Sequence, residues 1–159
     1  MKGRKRHILV DTQGLVLKAH VHSANLSESQ GGEQLLARLH GAYPRLTHWW
    51  TDQGYKPSFV AWVETQLGWS VEVVASPQMP RGDTGAAVRA LLGDDEFARR
   101  WPTGFRVLPR RWVVERTFAW LGKQRRLSKD YEGLPQTTEA WIYLTMSRLL
   151  MRRLPRANA

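Results

Sequence analysis

The sequence predicts an α/β domain in which helices flank a mixed sheet. Short β-prone segments alternate with segments of helical periodicity, which is the pattern of strands and helices packed in layers. The first two β-prone segments are separated by a turn signal and therefore predict an antiparallel hairpin, whereas the later ones are separated by helices. A hydrophobic content of 42% in 159 residues is enough for one sizeable core.

The N-terminal elements are a hairpin and one helix. Residues 7–10 are apolar and β-prone, residues 11–14 form a turn signal, and residues 15–22 alternate between apolar and polar side chains. Ser27 then starts a periodic segment through residue 39, which predicts an amphipathic helix.

A strand, a helix and a second strand follow. Residues 46–50 predict a short buried strand. Residues 57–67 predict a helix with a proline in its first turn, and Gly68 ends it. Residues 69–74 alternate and predict the next strand.

The second half is less regular at first. Prolines and glycines interrupt residues 76–104, which predicts a surface insertion with a short helix near residues 86–92. Residues 105–108 predict a short strand, residues 112–126 a long basic amphipathic helix, and residues 138–153 a final helix. There is no internal repeat.

Charge is distributed unevenly along the chain. Residues 99–159 contain 14 Lys or Arg and four Asp or Glu, a net charge of +10, and the rest of the chain is neutral. A one-sided excess of arginine favours a phosphate-rich partner such as nucleic acid. A solvated basic surface, or a tail that touches an anionic membrane, remains the alternative.

Composition excludes several classes of site. The chain has no cysteine, which excludes disulfides and thiolate metal sites and agrees with a reducing cytoplasm. No apolar run approaches the ~20 residues of a membrane span. The apolar part of the N-terminus, residues 8–10, is too short for a signal peptide.

Two acidic residues stand out by position. Asp52 follows the predicted strand 46–50, and ligand-binding residues of open α/β sheets concentrate at such strand ends. Glu115 lies near the start of the basic helix among arginines. Each also has a structural alternative. Asp52 can bond its own backbone in a turn, and Glu115 can pair with Arg111 four residues earlier.

Phosphodiester cleavage would need more than this pair of acids. The reaction benefits from two divalent metals about 4 Å apart, and Mg²⁺ prefers carboxylate oxygens. A pair of metals usually needs a third acid. The remaining candidates are Asp11 in a turn, Asp83 in the insertion, and the acidic run of Asp94, Asp95 and Glu96. None of them is expected at the end of a central strand.

Three segments match blocks of one known family. KGRKRHILVDTQGLVL matches its second and third strands, TDQGY its Ala-Asp-x-Gly-Tyr block, and PRRWVVERTFAWLGKQRRLSKDYE its glutamate block. The chain therefore resembles the C-terminal part of insertion-sequence transposases of the Asp-Asp-Glu class, with an IS4-like domain. The resemblance implies a ribonuclease H-like mixed sheet flanked by helices, with the first strand missing. The catalytic domain would span residues 1–154, with a tail at 155–159.

The resemblance also assigns roles. Asp52 takes the place of the second catalytic aspartate and Glu115 that of the glutamate, and both would bind metal. In the family's Tyr-x2-Arg-x3-Glu-x6-Lys signature, Arg111 holds the arginine place, whereas Leu108 and Gly122 hold the tyrosine and lysine places. The first aspartate would lie on a strand upstream of this chain.

The implied function is DNA cleavage and strand transfer in transposition. The implied cofactor is Mg²⁺ or Mn²⁺, as two ions in an intact enzyme, and the implied location is the cytoplasm. The partners would be DNA, as transposon ends and target, and either an upstream reading-frame product or a homo-oligomer, without a membrane. Residues expected to contact phosphates are Arg110, Arg111, Arg116, Lys123, Arg125 and Arg126.

Several alternatives stay open. The chain alone is expected to be inactive because the first aspartate is absent, and it would be a frameshift product, a truncated remnant or the result of a miscalled start. The competing hypotheses are a non-catalytic DNA-binding module or inhibitor derived from a transposase, and a poorly folding pseudogene product. Among the eight tryptophans, Trp49, Trp50, Trp112 and Trp120 are expected to pack, with base stacking as the alternative. His20 and His22 are expected to be ordinary strand residues, since two ligands make a weak zinc site.

Overall fold

The chain folds into two small sheets with helices packed against them. The structure is a computed structural model and describes residues 3–39, 42–74, 79–101 and 110–154. Within those ranges the predicted alternation of strands and helices is confirmed, and the domain is mixed α/β.

The N-terminal strands form the predicted hairpin. β1 (Arg4–Val10) pairs antiparallel with β2 (Val16–Ser23), and the register shifts between the last two residues of β1. The Asp11 carboxylate accepts backbone N–H groups at 2.8 Å inside the turn, and Gly14 takes a positive φ of 81° there.

β1 begins three residues earlier than predicted because its basic side chains have acceptors elsewhere in the fold. Arg4 donates to the Glu132 carbonyl at 2.8 Å, and Arg6 donates to the Leu127 carbonyl at 2.7 Å. Arg4 and Arg6 are therefore polar strand residues whose side chains are hydrogen-bonded. A pattern of apolar side chains cannot show that such residues belong to a strand.

A parallel pair of strands follows the first helix. β3 (His48–Asp52) and β4 (Ser70–Val74) are joined by the crossover helix α2 (Pro57–Leu67), whose bounds match the prediction. β3 starts and ends two residues later than predicted, so Asp52 is its last residue rather than a residue beyond its end.

The two pairs of strands do not join into the single mixed sheet that the sequence predicted. Among the described residues, β1 pairs only with β2 and β3 only with β4. Within the described ranges, both outer edges of each pair lack a neighbouring strand. The described residues thus do not confirm one continuous sheet, because alternation of apolar and polar side chains predicts strands but not which strands pair with each other.

The first core lies between α1 (Glu28–Ala37), α2 and the strands. Ser27 caps α1 in a capping box with Gln30, which satisfies two N–H groups at the helix start. The buried side chains of this core are Leu9, Leu35, Leu36, Leu39, Trp49, Phe59 and Val63.

The region predicted as an insertion contains two helices among its described residues. α3 (Gly82–Leu92) begins four residues before the predicted short helix, and Asp94, Asp95 and Glu96 form the first turn of α4 (Asp94–Arg100). Acidic residues at that place stabilise a helix start. The strand predicted at 105–108 and the tail predicted at 155–159 lie outside the described residues.

The C-terminal helices make the second core against β2. The long helix predicted for 112–126 is divided into α5 (Arg111–Gly122) and the short α6 (Arg125–Ser128), and α7 (Pro135–Arg153) starts three residues earlier than predicted. The buried side chains here are Ala19, Val21, Leu121, Leu127, Ile142 and Met146. The break at residues 123–124 lets both Leu121 and Leu127 point into one core.

Candidate active site

One cavity of about 500 Å³ brings the two predicted acidic residues to a common surface. Its walls come from β1, from β3 and from the first half of α5, and both Asp52 and Glu115 line it. Asp52 is exposed, and the Glu115 side chain is 55% exposed. Both carboxylates can therefore meet a ligand that enters from solvent.

Asp52 occupies the end of β3 and starts a tight turn. Its Oδ1 accepts the Gly54 N–H at 2.9 Å, and the Asp52 carbonyl accepts the Tyr55 N–H at 3.4 Å. The turn alternative from the sequence is therefore present in the structure. A carboxylate has about four lone-pair positions, so this bond leaves Asp52 able to bind another group.

Glu115 lies one turn into α5 and pairs with Arg111, whose Nε is 3.0 Å from its Oε1. The i,i+4 alternative is thus also present. Both side chains are substantially exposed, and such pairs contribute little stability. The ion pair therefore restrains the Glu115 side chain only weakly, and Glu115 still lines the cavity.

The position of α5 is fixed from both sides of the cavity. The fully buried Thr117 donates to the Gly14 carbonyl at 2.7 Å, and Arg116 donates to the Gln13 carbonyl at 2.7 Å. At the helix start, the Arg110 guanidinium lies 4.6 Å from the centre of the Trp50 ring on β3. These contacts tie α5 to the hairpin turn and to the strand that carries Asp52.

A third acidic residue, Glu28, reaches the same cavity, and the sequence argument missed it. A Cβ at Gly54 would lie 3.0 Å from Asp52 Oδ1 and 3.4 Å from Glu28 Cγ, so both side chains lie close to this glycine. In the sequence, Glu28 was marked only by its position in the first turn of α1, where an acidic side chain interacts favourably with the helix dipole. Asp11, which the sequence argument set aside, lines the cavity as well.

The histidines of the hairpin form a buried cluster. His7 is directly opposite His20, and His22 is on the same face. The His7 and His22 rings stack at 4.8 Å, and the His20 and His22 rings lie 5.4 Å apart. Within the described ranges, no three His, Asp or Glu side chains are arranged to hold one metal ion.

Burial changes the protonation of two groups in this region. Desolvation lowers the pKa of His7 to about 4, with neighbouring His22, His20 and Lys5 adding to the effect and Glu28 opposing it. Burial raises the pKa of the Tyr55 hydroxyl well above its usual range, and the charges of Asp52 and Glu28 add to that rise. At neutral pH His7 is therefore uncharged and Tyr55 keeps its proton.

The six basic residues expected to contact DNA are not equivalent. Arg110 and Arg111 line the cavity beside the acids. Arg116 is enclosed between Trp112 and Trp120, at 4.2 and 4.7 Å from the ring centres, and its bond to the hairpin turn gives it a structural role.

The other three lie at the junction of α5 and α6. All three are exposed, and Arg126 also packs over Trp141 at 5.5 Å and is 3.6 Å from Glu132.

The tryptophans predicted to pack do so to different extents. Trp49 is buried in the first core, and Trp50 donates from Nε1 to Glu72 at 2.9 Å. Trp112 is 41% exposed and Trp120 is half-buried, and both are covered on one face by Arg116.

Comparison with known protein families gives a match over most of the chain. The family model described as transposase DDE domain matches residues 1–150. Searches of curated proteins and of solved structures return no match. None of the described helices has the length and apolar character needed to cross a membrane.

Proposed function

Since the chain belongs to the transposase DDE domain family, we propose that it is the C-terminal part of an IS4-like transposase catalytic domain, which cuts and joins DNA strands during transposition. Membership of the family implies transposition as the function and DNA as the partner. The observation that carries the finer proposal is that Asp52 and Glu115, 63 positions apart in the sequence, line the same cavity beside Arg110 and Arg111.

The family generally uses divalent metal ions, and the donors in the cavity suit such ions. Asp52 and Glu115 offer carboxylate oxygens, which Mg²⁺ and Mn²⁺ prefer. Bound there, two ions would activate water and stabilise the charged phosphate oxygens of the transition state. Asp52 and Glu115 would hold the ions, while Arg110 and Arg111 would attract the DNA backbone to the cavity.

The two acids form an incomplete set for a pair of metal ions. We expect a further aspartate on a strand outside residues 1–159, as the family resemblance implies. The cavity supports this because residues 6–12, from β1 and the turn after it, and all five residues of β3 line it, and in the described part of the chain each of these strands is paired along one edge only. An open edge readily accepts an extended segment through backbone hydrogen bonds. We expect an added strand here to bring the missing carboxylate to the cavity.

The test compares this chain with a protein that also contains the upstream strand. Nicking of a transposon-end DNA is measured with Mg²⁺ and with Mn²⁺. Residues 1–159 alone are expected to leave the DNA intact, and the completed protein is expected to cut it. Asp52→Asn and Glu115→Gln should each abolish cutting in the completed protein, whereas Asp95→Asn, which removes an exposed acid of α4, should not. Cutting that survives Asp52→Asn would overturn the proposed site.

A second candidate function is a DNA-binding module that does not cut, including one that inhibits the full enzyme. The exposed Lys123 and Arg125 and the net charge of +10 favour it. Phosphate contacts release counterions, so Arg125→Gln should reduce the slope of log K against log salt by about one if Arg125 contacts one phosphate. The two functions are separated by cutting of the completed protein, because both predict salt-sensitive binding.

A further inference from the structure

The Glu28 carboxylate is engaged by two residues of β1. Lys5 Nζ lies 2.9 Å from Glu28 Oε1, and His7 Nε2 lies 3.2 Å from Glu28 Oε2. Lys5 also donates to the Leu26 carbonyl at 2.8 Å, immediately before α1. One Glu28 oxygen is paired with Lys5 and the other faces His7, so Glu28 is placed to hold these two neighbours.

His7 connects Glu28 to Tyr55. His7 is only 5% exposed, and its Nδ1 lies 3.0 Å from the Tyr55 hydroxyl oxygen. The Tyr55 hydroxyl keeps its proton and can donate it to Nδ1, which places the ring proton of neutral His7 on Nε2, facing the Glu28 carboxylate. The Nε2 contact is not aligned as a regular hydrogen bond and acts through electrostatic attraction. One tautomer therefore suits both neighbours.

Tyr55 closes the turn that begins at Asp52. Its ring packs on Phe59 at 4.6 Å between centres, and a Cβ at Gly32 would lie only 2.6 Å from Tyr55 Cε1, so α1 approaches the ring closely. Its backbone N–H bonds the Asp52 carbonyl. A displacement of the Tyr55 ring would therefore be transmitted to the turn at residues 52–55.

We propose that Glu28, His7 and Tyr55 are positioning residues that fix the turn at residues 52–55 against β1 and so hold the Asp52 carboxylate in the cavity. Lys5 completes this Glu28 network by holding Glu28 itself. The consequence for metal binding rests on the proposed function. The positioning of the turn does not, because it concerns only contacts within the chain.

The first experiment measures the turn directly. Solvent exchange of the Gly54 amide, which donates to Asp52 Oδ1, is followed by NMR in the 159-residue chain. Tyr55→Phe removes one hydroxyl and should speed this exchange about fivefold, because the loss of one hydrogen bond shifts a local equilibrium by roughly that factor. Glu28→Gln keeps the shape of the side chain, removes its charge and should act in the same direction.

Tyr43→Phe is the matched control. Tyr43 also donates its hydroxyl, to the Leu17 carbonyl at 2.9 Å, and this acceptor lies on β2 rather than in the turn. It should leave Gly54 exchange unchanged. The amide of the fully buried Leu36 reports global opening and should not respond to Tyr55→Phe. The positioning role would be overturned if the Gly54 amide exchanged at the same rate in wild type and Tyr55→Phe. It would also be overturned if Gly54 exchange became faster only together with Leu36 exchange.

The second experiment measures Mn²⁺ affinity in the same variants. Asp52→Asn should abolish specific binding, and Tyr55→Phe should raise the Kd about fivefold if the loosened turn populates a non-binding state to that extent. If Asp52→Asn binds Mn²⁺ as tightly as wild type, the proposed metal site is wrong. The positioning of the turn is then tested by Gly54 exchange alone. Loss of binding in Asp52→Asn with wild-type binding in both Tyr55→Phe and Glu28→Gln would refute the consequence for metal binding, and Gly54 exchange would still decide the positioning role.

Discussion

Lowering the pH should destabilise this fold through His7. The imidazole is 5% exposed, and burial lowers its pKa from 6.5 to about 4. The unfolded chain therefore binds a proton near pH 6.5, whereas the folded chain binds it only near pH 4. Between these values acid favours the unfolded chain, so the stability that neutral His7 contributes is complete above pH 6.5 and falls as the pH drops.

The magnitude follows from the width of that interval. One pKa unit corresponds to about 1.4 kcal/mol, so a shift from 6.5 to about 4 amounts to roughly 3 kcal/mol, lost progressively between these two pH values. A domain of this size is stable by about 5–15 kcal/mol, so this loss is a substantial fraction of the total.

The assay is urea denaturation of wild type and His7→Gln at several values between pH 7 and pH 4. His7→Gln removes the titrating ring and retains all other ionisable groups, so its own pH profile is the background. The stability of wild type relative to His7→Gln should fall by about 3 kcal/mol across this range. A difference that does not change with pH would refute the assignment of a buried, neutral histidine at this position.

Two further substitutions test the packing around the site by the same denaturation assay. Gly31→Ala should destabilise the fold by about 1–3 kcal/mol, because its Cβ would collide with Nε2 of His22. The control Gly122→Ala should be neutral or slightly stabilising, because a Cβ there meets nothing within 4 Å. Equal effects of the two substitutions would contradict this packing. Thr117→Val should cost about 1–3 kcal/mol, because it leaves the Gly14 carbonyl without its 2.7 Å donor. A stability equal to wild type would show that α5 is not anchored through this bond.

The sequence predicted correctly those elements whose ends are fixed by the backbone preferences of neighbouring residues in the chain. Pro57 and Gly68 mark the ends of α2 through local backbone restrictions, and the bounds of that helix were predicted to the residue. The division at residues 123–124 was not anticipated, because helical periodicity continues across it and only the shared core of α5, α6 and α7 favours the break. The separate sheets were missed for a similar reason, since strand partners are chosen by packing.

By itself, the sequence determined the α/β class, the excess of positive charge after residue 98 and the candidacy of Asp52 and Glu115. Composition, periodicity and motif spacing are all properties of the linear chain. The folded chain was needed to show that the Glu28 and Asp52 side chains both lie close to Gly54, and that Arg116 donates to the Gln13 carbonyl of the hairpin turn. These contacts join residues about 24 to more than 100 positions apart, and the free energy of packing whole elements together decides which of them meet.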